Sequence, residues 1–327
     1  MSKKWGLLLF IAFIFIVGTG VSTYYFIGES GISNNASNKT ENNDDDEYID
    51  FYKLYYSLAA NEYTKTLSPS DIKKIKKKIE AYSSKKLIEN SVSIYDIWLY
   101  TEVLSLLELE PDNKDILMDY INGLYVENGF YKSYAEEEKD LDSQNYLLST
   151  KMSLESISNL DKKLSDKKQT EITGWLTENF PKNLDKSDVL SYADLYYVYL
   201  LLLNKFEKGS VMMSKNDSSY INESLDKESD SLIKYIVLTN VSLFSADKNI
   251  EIDIEAMKEN LMSLKQDNGG YPLFGDGNQE LSDILSTYQV YYLFDFYEIE
   301  YELDENSHQF IRQNINDSMN SFVINGH

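Results

Sequence analysis

The sequence predicts an all-α fold laid out as a stack or closed ring of helical hairpins, and three observations carry that prediction. First, residues 261–298 read as one complete helix–loop–helix unit, with Gly269-Gly270-Tyr271-Pro272 as the turn between two apolar segments. Second, weaker copies of the same layout recur upstream at a spacing that suits one hairpin each. Third, the chain has only four prolines, Pro69, Pro111, Pro181 and Pro272, each between helical patterns, where the missing N–H is tolerated.

Taken from the N-terminus, residues 1–4 carry Lys3 and Lys4, and residues 5–27 follow with no charge at all. That span matches the roughly 20 residues a helix needs to cross the hydrocarbon core. No basic residue follows until Lys39, so the positive-inside bias predicts a cytoplasmic N-terminus, a single transmembrane signal anchor at 5–27, and an extracytoplasmic remainder. The alternative is a cleaved signal peptide with Gly18 and Gly20 at the processing site, which would give a secreted protein. Tyr24, Tyr25 and Phe26, beyond those small residues, suit an interfacial anchor instead. With no Cys in the chain, neither a lipoprotein attachment nor a disulfide is open to it.

Residues 28–47 are rich in Ser, Asn, Asp and Glu, with Ile32 as the one large apolar side chain. Such a segment buries too little surface to offset chain entropy and reads as a flexible acidic linker. Residues 48–327 then form one domain. Its balance is acidic, 54 Asp and Glu against 31 Lys and Arg in the whole chain for a net charge of −23, which opposes binding to nucleic acid and to anionic lipid surfaces.

The repeats align on a small hydroxyl residue expected at the start of each second helix. Ser93, Ser149, Ser191, Ser231 and Ser286 are separated by 56, 42, 40 and 55 residues, which predicts about five hairpins. Turn signals at Asn128-Gly129-Phe130, Asn179-Phe180-Pro181 and Gly269-Gly270-Tyr271-Pro272 precede three of them. There Gly is expected as a left-handed helix cap and Pro as a stop. The second helices are apolar on all sides, as in residues 195–203 and 288–297, and a helix of that kind is buried. The first helices carry a single stripe, as with Ile72, Ile75 and Ile79 among lysines. A buried inner layer and an amphipathic outer layer make a double ring.

The run Leu264-Lys-Gln-Asp-Asn-Gly-Gly-Tyr-Pro272, followed by Ser286-Thr287-Tyr288 at a helix start, resembles the repeat of the α/α-toroid superfamily of terpenoid cyclases and protein prenyltransferases. Asn128-Gly129-Phe130 with Ser149-Thr150 is a partial second match, and the resemblance spans roughly residues 90 to 300. It implies an α/α toroid; the catalytic residues of those families do not carry over. Triterpene cyclases are expected to use Asp-x-Asp-Asp, and Asp140-Leu141-Asp142-Ser143 lacks the last carboxylate. Prenyltransferases hold zinc through Asp, Cys and His, whereas this chain has no Cys and only His308 and His327. Thioester toroids need a Cys, and toroidal polysaccharide lyases need cations that a lone Arg312 and two His supply poorly. No cofactor and no metal site are expected.

Two local features keep a site in view. Asp276, Glu280 and Asp283 have oxygens spaced loosely like a calcium loop, without its central Gly or terminal Glu. Tyrosines at helical spacing on the inner helices read first as core; the alternative is that some of them, with nearby carboxylates, line a pocket at the ring mouth built from Tyr192, Asp194, Tyr196, Tyr271, Asp276, Asp283 and Tyr288. The functional expectation is a membrane-anchored, non-enzymatic binding or scaffolding module at the bacterial cell surface, with a protein or glycan partner. The alternative is a carboxylate-dependent enzyme acting on a glycan or an isoprenoid-type, lipid-linked substrate.

Overall fold

A computed structural model describes residues 49–90, 93–135, 143–206, 211–228, 231–245, 250, 252–272 and 282–319. The anchor expected at 5–27 and the linker expected at 28–47 lie outside them, and among the described residues no helix is long and apolar enough to cross a membrane. In chain order the helices are α1 (Phe51–Thr64), α2 (Pro69–Glu80), α3 (Ser84–Asn90), α4 (Ile94–Leu106), α5 (Lys114–Gly123), α6 (Ser143–Asn159) and α7 (Asp166–Asn179). They continue as α8 (Val189–Phe206), α9 (Lys215–Leu225), α10 (Leu232–Ser242), α11 (Ile254–Ser263), α12 (Ile284–Phe296) and α13 (Glu305–Ser318). Four two-residue strands form two small antiparallel ladders: β1 (Tyr125–Val126) with β2 (Phe130–Tyr131), and β3 (Tyr271–Pro272) with β4 (Ser282–Asp283). The protein is all-helical apart from these ladders.

Helices α1, α4, α6, α8, α10 and α12 each pack against the next, and α12 returns to pack against α1. These six are the inner layer, and their sequences explain why. In α4 every residue from Ile94 to Leu104 except the half-buried Asp96 is buried, and in α12 every residue from Ile284 to Phe294, as expected of helices that are apolar around the whole circumference. The outer helices bury one stripe. Helix α2 buries only Ile75 and Ile79, and α13 buries Ser307, Ile311, Ile315 and Ser318 at helical spacing. Outer α13 packs on inner α1, where the Asp50 N–H donates to the Ser318 carbonyl at 2.8 Å and Ile49 bridges Met319. The inner cycle closes where α12 meets α1, and the two ends of the described chain add an outer contact at the same seam.

Three expectations need correction. The serine register counts five hairpins and misses α1, whose Tyr-rich run Phe51-Tyr52-Lys53-Leu54-Tyr55-Tyr56 lacks a preceding Ser and is capped by Asp50 instead. Of the five aligned serines, Ser93 and Ser231 are N-caps, accepting from the Asp96 and Lys234 N–H groups. Ser149, Ser191 and Ser286 lie inside their helices, because Asp188 and Asp283 take the capping role for α8 and α12 with carboxylates that also suit the positive helix end.

The third correction concerns glycine. Helix α11 ends on Leu264 in the right-handed region, while Gly129 and Gly269, with φ of +94° and +87°, sit in the connections after α5 and α11. An added Cβ would overlap the Glu171 backbone of α7 at the first, and the backbone of Asn306 and Ser307 of α13 at the second. Glycine is thus required by close approach to the next outer helix. The two connections are built alike. The Tyr131 N–H donates to Thr150 Oγ1, and the Tyr271 N–H donates to Thr287 Oγ1, both at 3.0 Å. The quoted Gly and Ser-Thr pairs of the sequence repeat thus perform the same two jobs twice.

Candidate functional site

Charge inside an all-apolar helix is costly unless it is paired, so the few charged residues of the inner helices mark the place to look. Helix α4 brings Glu102, α6 brings Lys151 and Glu155 one turn apart with Asn159 a further turn on, and α8 brings Lys205. Lys151 Nζ bonds Glu155 Oε2 at 2.7 Å, with side-chain exposures of 0% and 7%. Asn159 Nδ2 donates to Glu102 Oε1 at 2.7 Å. Lys205 Nζ donates to the Leu154 carbonyl at 3.2 Å, and Lys151 Nζ stands 5.5 Å from the Trp98 ring centroid.

Aromatic side chains from α1, α4 and α12 fill the rest of the interior. Tyr55 meets Tyr56 at 4.7 Å and Trp98 at 5.5 Å between ring centroids, and Tyr288 meets Tyr56 at 5.9 Å and Tyr63 at 6.1 Å. Tyr55, Tyr56, Trp98 and Tyr288 are all buried. Tyr55 lies within electrostatic reach of both Glu102 and Glu155, Tyr288 within reach of Glu102, and Tyr197 of α8 within reach of Glu155. The charged group and the tyrosines are therefore one cluster spanning five of the six inner helices.

Burial, with the nearby Glu155 charge adding to it, pushes the Glu102 carboxyl up to about 7; the Asn159 hydrogen bond, Lys151 and the Trp98 indole pull it partway back. Burial likewise pulls the Lys205 ammonium down, opposed by Glu155 and Glu102. The tyrosines move up for the same reason and remain neutral hydroxyls. Glu155 Oε1, Tyr55 OH and Tyr288 OH are buried and have no hydrogen-bond partner among the described residues. A carboxyl that is half-protonated at neutral pH, beside a second carboxylate bound to lysine, can take up and release a proton. Among the described residues no group of three His, Asp or Glu is placed to hold a metal ion.

The residues of the anticipated ring-mouth pocket are distributed over several places. Tyr192 and Tyr196 both donate to Asp217 of α9, at 3.2 and 3.1 Å, with Ser214 Oγ donating to the same carboxylate at 2.6 Å. Asp217 is held below the usual carboxylate range by those hydrogen bonds and by Lys186, against the effect of burial. Asp194 is fully buried on α8, close enough to Tyr197 to raise it. Tyr271 packs edge-on against Tyr291 at 6.0 Å. Asp283 accepts from the Leu285 and Ser286 N–H groups and from Tyr52 OH, and burial still raises its carboxyl. Asp276 lies outside the described residues. Of the set, Tyr288 alone belongs to the central cluster.

Sequence reasoning missed Glu102, Lys151, Glu155, Asn159 and Lys205. The signal was present, since the same argument that buries α4, α6 and α8 makes any charge within them an exception to be explained. No protein-family model matches this chain, and no curated protein is similar enough to it to count as a relative.

Proposed function

We propose that residues 48–327 form an α/α toroid of the terpenoid-cyclase and prenyltransferase kind, with six hairpins, tethered by residues 5–27 to the outer face of a bacterial membrane. There it acts as a binding or scaffolding module for a protein or glycan. One observation carries the non-enzymatic reading: the middle of the helical cycle is taken up by the chain's own side chains, with Tyr55, Tyr56, Trp98 and Tyr288 each 2% exposed or less. Side chains this closely packed leave little room for a substrate among them, which supports a partner that meets an outer surface.

The second reading, a carboxylate-dependent enzyme, is favoured by the near-neutral Glu102 beside Glu155. The two separate in one experiment. The full chain in detergent micelles is incubated with purified cell-wall glycan, and retention and release of reducing ends are measured for wild type, Glu102→Gln and Glu155→Gln. Retention without turnover, equal in all three, is the expected result. Turnover by wild type that both variants lose would replace the binding reading with the enzymatic one.

A further inference from the structure

We infer that helix α2 is a membrane-facing surface that seats the domain on the anionic phospholipid headgroups of the bilayer that anchors it. The inference rests on the anchor at 5–27 for its geometry, and on the charge and shape of α2 for its chemistry.

The chain as a whole is strongly acidic, yet α2 reads Pro69-Ser-Asp-Ile-Lys-Lys-Ile-Lys-Lys-Lys-Ile-Glu80, with five lysines against Asp71 and Glu80. Burial of Ile75 and Ile79 fixes how the helix is turned, and Lys73, Lys74 and Lys77 are exposed as a result. Lys74 reaches Asp71 only at 3.8 Å, and Lys73, Lys76 and Lys77 make no ion pair among the described residues. Lys73 and Lys76 stand over a shallow hollow of about 370 Å³ whose other walls are Leu67, Pro69 and Ile72. A shallow hollow lined by three apolar residues and two lysines suits a phosphate headgroup with the first carbons of its acyl chains, since lysine stems can lie along apolar surface while their charged ends stay in water.

Two further points select the membrane as the partner. The segment from residue 28 to residue 50 is 23 residues, so α1 starts within ~80 Å of the predicted end of the span at full extension, and α2 is the next helix in the chain. A tether of this kind keeps the surface close to α2 at all times, so a weak contact suffices. The acidic remainder does not cancel the strip, because charges more than ~8 Å apart are screened in physiological salt.

Because the chain has no cysteine, Ser70→Cys at the exposed start of α2 gives a unique site for a polarity-sensitive fluorophore. The labelled full chain is reconstituted in nanodiscs of phosphatidylcholine alone or rich in phosphatidylglycerol. A blue shift in the anionic discs only, removed by high salt and weakened about tenfold or more by Lys73→Glu, Lys76→Glu and Lys77→Glu together, is the expected result, with the unfolding midpoint unchanged. Equal signals in both discs, or none in either, overturn the inference. If the chain does not enter discs at all, the anchor reading fails separately. The labelled chain is then added to preformed phosphatidylglycerol vesicles, where an absent shift overturns the inference and a lysine-dependent one upholds it. A shift with soluble polyphosphate as large as with discs would reassign the strip to a phosphate polymer.

Discussion

The inner helices enclose two unlike interiors. On the α4–α6–α8 side the space is taken by Glu102, Lys151, Glu155, Asn159 and Lys205, tied by bonds of 2.7 to 3.2 Å. On the α12–α1 side it is taken by Tyr288, Tyr292, Tyr56 and Tyr63, which meet ring to ring at 5.9 to 6.4 Å. Both solve the same problem, filling the middle of a cycle of helices, and they do so with opposite physics. The tyrosines contribute large buried area and tolerate small shifts. The charged side depends on every partner being present, since a buried ion without its counterion is far costlier than a missing hydroxyl. The difference separates the part of the interior that responds to pH from the part that does not.

Removing the cation should show this most strongly. Lys151→Met leaves Glu155 buried without its partner, and the expected loss is about 3–5 kcal/mol at pH 8 by urea unfolding. The loss should shrink at pH 5, where carboxyl protonation relieves the uncompensated charge. A pH-independent loss would mean that Lys151 contributes through packing alone.

Next in size is the pH profile itself. The folded value for Glu102, about 7, lies above the ordinary value of 4.5. The folded state therefore holds a proton that the unfolded state has released, and the stability from this group is fully present below about pH 4.5 and is lost as pH rises through 7. Over that window the wild-type protein should lose up to about 3 kcal/mol from this site. In Glu102→Gln, which keeps an acceptor for Asn159, this component should vanish, so that the variant is the more stable one at pH 8. Calorimetric midpoints at pH 5 and 8 check the sign; a variant with an unchanged profile would assign the pH dependence elsewhere.

The smallest effect belongs to the other half. Tyr288→Phe removes a hydroxyl that has no partner among the described residues, and the change in unfolding free energy should be within about 1 kcal/mol, with no dependence on pH. A larger loss would show that this hydroxyl is bonded, through water or otherwise, and that the tyrosine side is less tolerant than its contacts suggest.

The pattern of hydrophobic residues made the helices legible. Ile72, Ile75 and Ile79 announced a one-sided outer helix and residues 195–203 a buried one, because burial imposes its period on a helix directly. Gly269 and the Ser286-Thr287 pair marked a repeat correctly, although their roles differ from those expected. Glycine makes room for Asn306 and Ser307 of a helix nearly forty residues away, and threonine accepts from Tyr271 across the layers. Neither contact has a local signature. The candidate pocket was legible only at Tyr288. Tyr192 and Tyr196 point to Asp217 because α9 follows α8 closely in the outer layer, a matter of tertiary position that composition does not encode. Glu102 and Lys151 were visible as charges in apolar runs, but their meeting depends on the packing of α4 against α6, which the spacing of serines does not give.

The packing of α13 on α1 bears on how the domain is made. The first described helix is met by both of the last two, so the contacts that close the cycle join segments some 230 to 250 residues apart in the sequence. Contacts this remote in sequence slow folding. A chain delivered to the far side of a membrane from its N-terminus would hold α1 with one flank bare until α12 and α13 had crossed. Ring closure would then be timed by the arrival of α12 and α13, and a chain truncated before residue 284 would emerge as an open arc.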